Sequence, residues 1–148
     1  MGNIPKDASK KNNNIYLLPK DLKIHGLEEK KDSEMTSCVN LKYYNHSHEC
    51  FSCWTKEELV KFSEFTSILT QQTWAEIYRS GGKSKVGLGY TVHKNKDVLP
   101  NKGKVPKISE DITLFELRTG DKARVHGFRS KSVFFLVWLD RNHQIYPM

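Results

Sequence analysis

Apolar positions recur along this chain with two different periods, and the change between them marks its architecture. Leu59, Phe62, Phe65 and Leu69 fall on one side of a helix. Ahead of them Thr55-Lys-Glu-Glu58 is a capping box, with Trp54 and Leu59 at the two positions of a hydrophobic staple. A second box, Thr73-Trp-Ala-Glu76, opens a shorter helix, and Gly81-Gly82 ends it because glycine takes the left-handed conformation cheaply. The spacing predicts helices over 55–70 and 74–80, paired as a helical hairpin.

Further on the period becomes that of β structure. Ile112 to Arg118 and Lys122 to Phe128 read as strands joined by a three-residue turn, Thr119-Gly120-Asp121. Val133 to Leu139 is apolar at every position, as a strand covered on both faces must be. Val39 to Tyr44 supplies a first short strand and Gln144 to Pro147 a last one. Residues 1–37 carry polar runs without a period around a small apolar patch, Ile15-Tyr-Leu-Leu18, and read as a flexible arm. The expectation is an α+β domain over residues 38–148. Its parts are a short strand, a helical hairpin and a three- to four-stranded antiparallel sheet packed on the helices.

Length and charge sharpen this picture. The 148 residues suit one domain plus a tail. Lys and Arg number 24 against 17 Asp and Glu, so the net charge is 24 − 17 = +7. Residues 79–107 hold Arg79, Lys83, Lys85, Lys94, Lys96, Lys102, Lys104 and Lys107 against Asp97 alone, which accounts for the whole excess. Gly and Pro are frequent there, so a mobile basic loop over 81–107 is expected, suited to a phosphate backbone through counterion release. Lys83, Lys85, Lys94, Lys96 and, further on, Arg129 are the candidate nucleic-acid contacts, and Tyr90 and His93 are candidates for stacking on an unpaired base. The longest apolar run is far below the roughly 20 residues of a membrane helix. The N-terminus lacks the pattern of a secretory signal, and three cysteines make an odd set. A cytoplasmic protein with reduced thiols and no membrane partner is expected.

The strand pair around Gly120 carries the candidate chemistry. If Arg118 pairs opposite Lys122, then Glu116 faces Arg124 and Leu114 faces His126. Glu116, Arg118, Lys122, Arg124 and His126 then share one face, while Phe115, Leu117, Ala123 and Val125 pack on the helices. Such a face has the parts for cleaving a phosphodiester without metal. A base (Glu116, His126 or His143) takes the ribose 2′-hydroxyl proton, and Arg118, Lys122, Arg124 and Arg129 hold the phosphate. A solvated face with cross-strand ion pairs, Glu116 with Arg124 among them, is the plainer reading of the same residues.

These residues also carry a resemblance. Phe115-Glu-Leu-Arg118, the Gly120 turn, Lys122-Ala-Arg124-Val and the apolar strand Val133–Leu139 resemble the RelE/ParE toxin superfamily, with its RelE-like microbial ribonuclease fold. The resemblance spans roughly residues 40–148. It implies metal-independent cleavage of RNA, in many members on the ribosome, and an antitoxin protein as partner. Arg118, Lys122 and Arg124, with His143 or Tyr146, match the positions at which nuclease members carry their working residues. Members of the ParE type instead inhibit DNA gyrase, so the alternative is a non-enzymatic interaction protein of the same fold, such as a gyrase-type inhibitor or a phage factor binding host machinery. The long arm and the long basic loop depart from the family pattern.

One further cluster is His46-Ser-His48-Glu-Cys50-Phe-Ser-Cys53. Its donors suit zinc, but structural zinc sites draw ligand pairs from two separated segments, and there is no second Cys-x-x-Cys. A redox Cys-x-x-Cys belongs with a βαβ unit that these strands do not form. No metal and no cofactor is expected.

Overall fold

The computed structural model describes residues 34–81 and 88–146. The elements run β1 (Cys38–Asn40), α1 (Lys56–Gln71), α2 (Trp74–Arg79), β2 (Thr91–Val92), β3 (Leu114–Arg118), β4 (Arg124–Ser130) and β5 (Val133–Asp140), with short 3-10 turns at Phe51–Cys53, Lys96–Val98 and Pro100–Gly103. Both capping boxes form. Thr55 and Thr73 each accept from the glutamate amide three residues on, and each glutamate side chain reaches back to the cap amide. Two orphan donors per helix start are thereby satisfied. No helix among the described residues is long and apolar enough to cross a membrane.

The α+β class holds, with five strands where three or four were expected. The order is β1-β5-β4-β3-β2, antiparallel except that β1 runs parallel to β5. A parallel edge strand needs a crossover, and the two helices lie in the chain between β1 and β5. β2 comes from inside the stretch read as basic loop, and residues 144–146 form no strand.

β5 is buried at all eight positions because both sheet faces are covered. On one face Phe65, Leu69, Trp74 and Ile77 of the helices pack on Phe115, Leu117, Val125, Phe134, Leu136 and Leu139. On the other, Leu99, Val105 and Ile145 cover Leu114, Phe128, Val133, Phe135, Val137 and Trp138, with Tyr43 and Tyr146 at the margin. The described part of the expected basic loop is therefore a packed lid, and its lysines serve partly to build it. Lys96 donates its ammonium to the Glu110 and Ile112 carbonyls at 2.7 and 2.6 Å. Its apolar residues, Leu99, Val105, Ile108 and Ile112, are spaced irregularly among lysines, glycine and proline, so the sequence showed no period there.

A bulge interrupts the β4–β5 ladder. His126 pairs with Trp138 but Gly127 pairs with Leu136, so Val137 is the extra residue and joins Trp138 on the same face. At Gly127 a β-carbon would run into the Phe135 carbonyl, so only glycine fits this crossing.

Candidate functional site

The turn between β3 and β4 spans five residues, Thr119 to Ala123, and not three. Arg118 therefore pairs with Arg124, Leu117 with Val125, Glu116 with His126 and Leu114 with Phe128. The register is displaced by two positions from the expected one. Because strand side chains alternate with period two, an even displacement leaves every residue on its expected face. Glu116, Arg118, Arg124 and His126 do share one face. Lys122 does not join them: it sits in the turn and is exposed.

That face was expected to be open, and instead it is mostly roofed. His126 is fully buried, and Glu116 and Asp140 are only 2% exposed. The roof is the segment from His93 onward, together with the turn that follows β5. Its effect is to gather a buried polar cluster from four separate parts of the chain. Glu116 Oε1 lies 3.2 Å from His143 Nε2 and 3.8 Å from Arg124 Nε. His126 Nδ1 lies 2.8 Å from His93 Nε2, and its Nε2 lies 3.1 Å from Asp140 Oδ2. Asp140, opposite Arg124 in register, also accepts the Gln144 and Ile145 amides at 2.8 and 2.9 Å.

Burial controls the protonation of this cluster, since removing a charge from water disfavours the charged form. It pushes the Glu116 carboxyl up to about 7, against the pull of the Arg124 guanidinium. It takes His93 down to about 3, with His126 adding to the effect. His126 is also lowered, burial outweighing its bond to Asp140. His143 is lowered by burial and then by the Arg124 charge. For Asp140 burial acts upward, but the His126 ring and the two turn amides together prevail and hold the carboxyl below its ordinary value.

The cluster reaches the surface at His143 and Arg124, whose side chains keep 20% and 12% of their exposure. Arg118 and Arg124 lie directly opposite one another there, which concentrates positive charge at this end of the strand pair beside Glu116. Gly89 makes this possible on the β3 side. Its φ of +63° is open to glycine, and a β-carbon there would press on the Arg118 guanidinium at 3.1 Å. His143 has φ +54°, an uncommon conformation for a side-chain-bearing residue, and it points the imidazole back at β3. Glu49 holds the near end of its turn by accepting from the Arg141 amide at 3.0 Å and from Trp54 Nε1 at 2.6 Å. A surface cavity of about 360 Å³ borders the hairpin turn, where Glu57, Glu58 and Asp121 offset Lys61, Lys122 and Arg141, so its wall carries no excess of positive charge for a polyanion.

The remaining expected site residues divide clearly. Arg129 is committed to structure. Its guanidinium stacks 5.0 Å from the Trp74 ring and donates to Tyr78 Oη at 2.6 Å, on the helix side of the sheet, so it is not a phosphate contact of this cluster. Tyr146 packs its ring 4.4 Å from His93 and accepts the Lys94 amide through its hydroxyl. His93, expected to stack on a base, is buried inside the cluster. Lys94 is exposed, Lys96 is tied to carbonyls as described, and Lys83 and Lys85 lie outside the described residues. His46 and His48 are exposed, with Cys53, at the surface away from one another's service as ligands. Among the described residues, the group whose ligand atoms do converge, within 4.8 Å, is His93, Glu116 and His126. There the two imidazoles stand at hydrogen-bond distance, 2.8 Å, and Arg124 Nε lies 3.8 Å from the Glu116 carboxyl, so the same atoms already satisfy one another.

Comparison with models of known protein families, with curated proteins and with solved structures gives no match for this chain.

Proposed function

We propose that the protein binds RNA and cleaves it by metal-independent transesterification at the mouth formed by Glu116, His143, Arg124 and Arg118. The observation that carries this reading is the 3.2 Å contact between a carboxyl and an imidazole beside paired arginines. Cleavage needs one group to accept the ribose 2′-hydroxyl proton, a second to return a proton to the departing 5′-oxygen, and fixed cations for the charge that builds on phosphorus. The site supplies one of each kind. Burial raises the Glu116 carboxyl to about 7 and lowers His143, so near neutral pH a neutral His143 is available to take the hydroxyl proton and the protonated fraction of Glu116 to protonate the leaving group. Arg118 and Arg124 supply the positive charge, with Arg124 held in place because its Nη1 donates to the Gly120, Asp121 and Ala123 carbonyls. The resemblance to RelE-type toxins supports the same chemistry, and extends the reading to messenger RNA on the ribosome and to an antitoxin partner.

The test is incubation of the full chain with single-stranded RNA in the presence of a chelator. Cleavage should leave 2′,3′-cyclic phosphate ends, and a deoxyribose at the scissile position should block it. Glu116→Gln and His143→Ala should each lose about 10²- to 10⁴-fold in rate. A 5′-thio leaving group, which needs no acid, should restore the Glu116 variant and not the His143 variant. Intact RNA, or cleavage undiminished in both variants, refutes the nuclease. RNA or protein binding without cleavage would then favour the interaction protein.

A further inference from the structure

We infer that Asp140 is the positioning residue of this site, fixing the turn that carries His143 so that the imidazole meets Glu116. The inference rests on the catalytic reading above and adds a residue that never touches RNA: Asp140 is buried at the end of β5.

The geometric problem is one of reach. After β5 the chain must reverse and present an imidazole across β4 to a carboxyl on β3. A short turn has no core of its own, and His143 adopts a left-handed conformation that the surroundings have to hold. Asp140 supplies the hold with both oxygens. Oδ1 accepts the Gln144 amide and Oδ2 the Ile145 amide, so the residues immediately after His143 are tied back to the residue where the turn began. Oδ2 also meets His126 Nε2, which references the turn to β4, the strand that carries Arg124. His126 is itself braced by His93 from the roof. One carboxylate thus sets the position of the imidazole relative to both the partner carboxyl and the phosphate-binding arginine. Charged acceptors of this kind form the stronger class of hydrogen bond, and they are strongest when buried.

Asp140→Asn replaces one acceptor oxygen with an amide donor and sets donor against donor. In the full chain, kcat should fall about 100-fold, the cost of a misplacement near 1 Å, while KM stays within about twofold. The Asp140→Asn/His143→Ala double variant should be no slower than His143→Ala alone, because residues acting through one another are not additive. A full kcat in Asp140→Asn, a loss confined to KM, or a double variant slowed by the product of both effects overturns the inference. A readout independent of cleavage is amide exchange. The Gln144 and Ile145 amides should be protected in the parent chain and exchange freely in Asp140→Asn while β3 to β5 stay protected. Unprotected amides in the parent, or uniform loss across the sheet in the variant, also overturn it. If the parent cleaves no RNA, the catalytic reading fails at that point and the exchange measurement still decides whether Asp140 holds the turn. Should Asp140→Asn not fold, Gln144→Pro removes one of the two donors at an exposed position and should lower kcat about tenfold.

Discussion

Glu116→Gln should change how the stability of this protein depends on pH, and the sign follows from burial. The Glu116 carboxyl titrates near 7 in the folded chain against 4.5 for an unperturbed group, so between those values the native state binds more protons than the unfolded one. Stability from this residue is therefore fully present below about pH 4.5 and is lost as pH rises through about 7. Between about pH 5 and about pH 8 the loss is roughly 2 to 3 kcal/mol, at about 1.4 kcal/mol per pH unit of separation between the two titrations. His93, His126 and His143 act in the opposite sense. Their folded values lie below 6.5, so the stability they bring is present at neutral pH and falls away in acid. The parent curve mixes both trends and reveals neither. Subtracting the Glu116→Gln curve removes the histidine contribution, because glutamine keeps the acceptor oxygen toward His143 and has no titration. Urea denaturation of both proteins at a series of pH values gives the difference directly. The glutamine variant should gain on the parent by those 2 to 3 kcal/mol as pH rises across the window. A difference constant within about 0.5 kcal/mol, the usual reproducibility of such measurements, would mean that Glu116 is not desolvated and that the roofed cluster is wrongly drawn.

Other substitutions separate chemistry from architecture. Arg124→Ala should reduce RNA cleavage by about 10²- to 10³-fold, whereas Lys122→Ala, in the exposed turn, should stay within about twofold of the parent; equal effects would contradict the observed register. Gly127→Ala forces a β-carbon against the Phe135 carbonyl at the bulge and should destabilise the fold by about 3 kcal/mol or more, measured as a lowered urea midpoint with an unchanged slope. Arg129→Ala should lower stability by about 1 to 2 kcal/mol through its lost stacking and hydrogen bonds, yet leave RNA affinity unchanged by filter binding; a weakened complex would return Arg129 to the phosphate-binding set.

What could be read from the chain before its structure depended on how far apart the deciding residues stand. The helices were legible because each capping box and staple is complete within a few residues, and the same bonds appear in the fold. The all-apolar run of β5 announced cover on both faces, and both faces are covered. The shared face of Glu116, Arg118, Arg124 and His126 was legible as parity, which survives a two-residue error in register, and the same reasoning could not fix how long the turn is. The roof was not legible. Its apolar residues are spaced irregularly between lysines and glycines, with no period to betray that they cover a sheet, and so a packed lid resembled a solvated loop. With the roof unseen, the site appeared as a cationic surface when it is a buried acid–base cluster with a cationic mouth. Asp140 and His93 were hidden for the same reason. Each takes its meaning from His126, fourteen and thirty-three residues away, and that partnership arises only when β4 pairs with β5 and the roof closes over both. The odd feature that sequence does preserve is that polar groups, among them His126, Glu116 and Asp140, stand within or at the ends of otherwise apolar strand segments. In a sheet covered on both faces such groups have nowhere to lie except against one another.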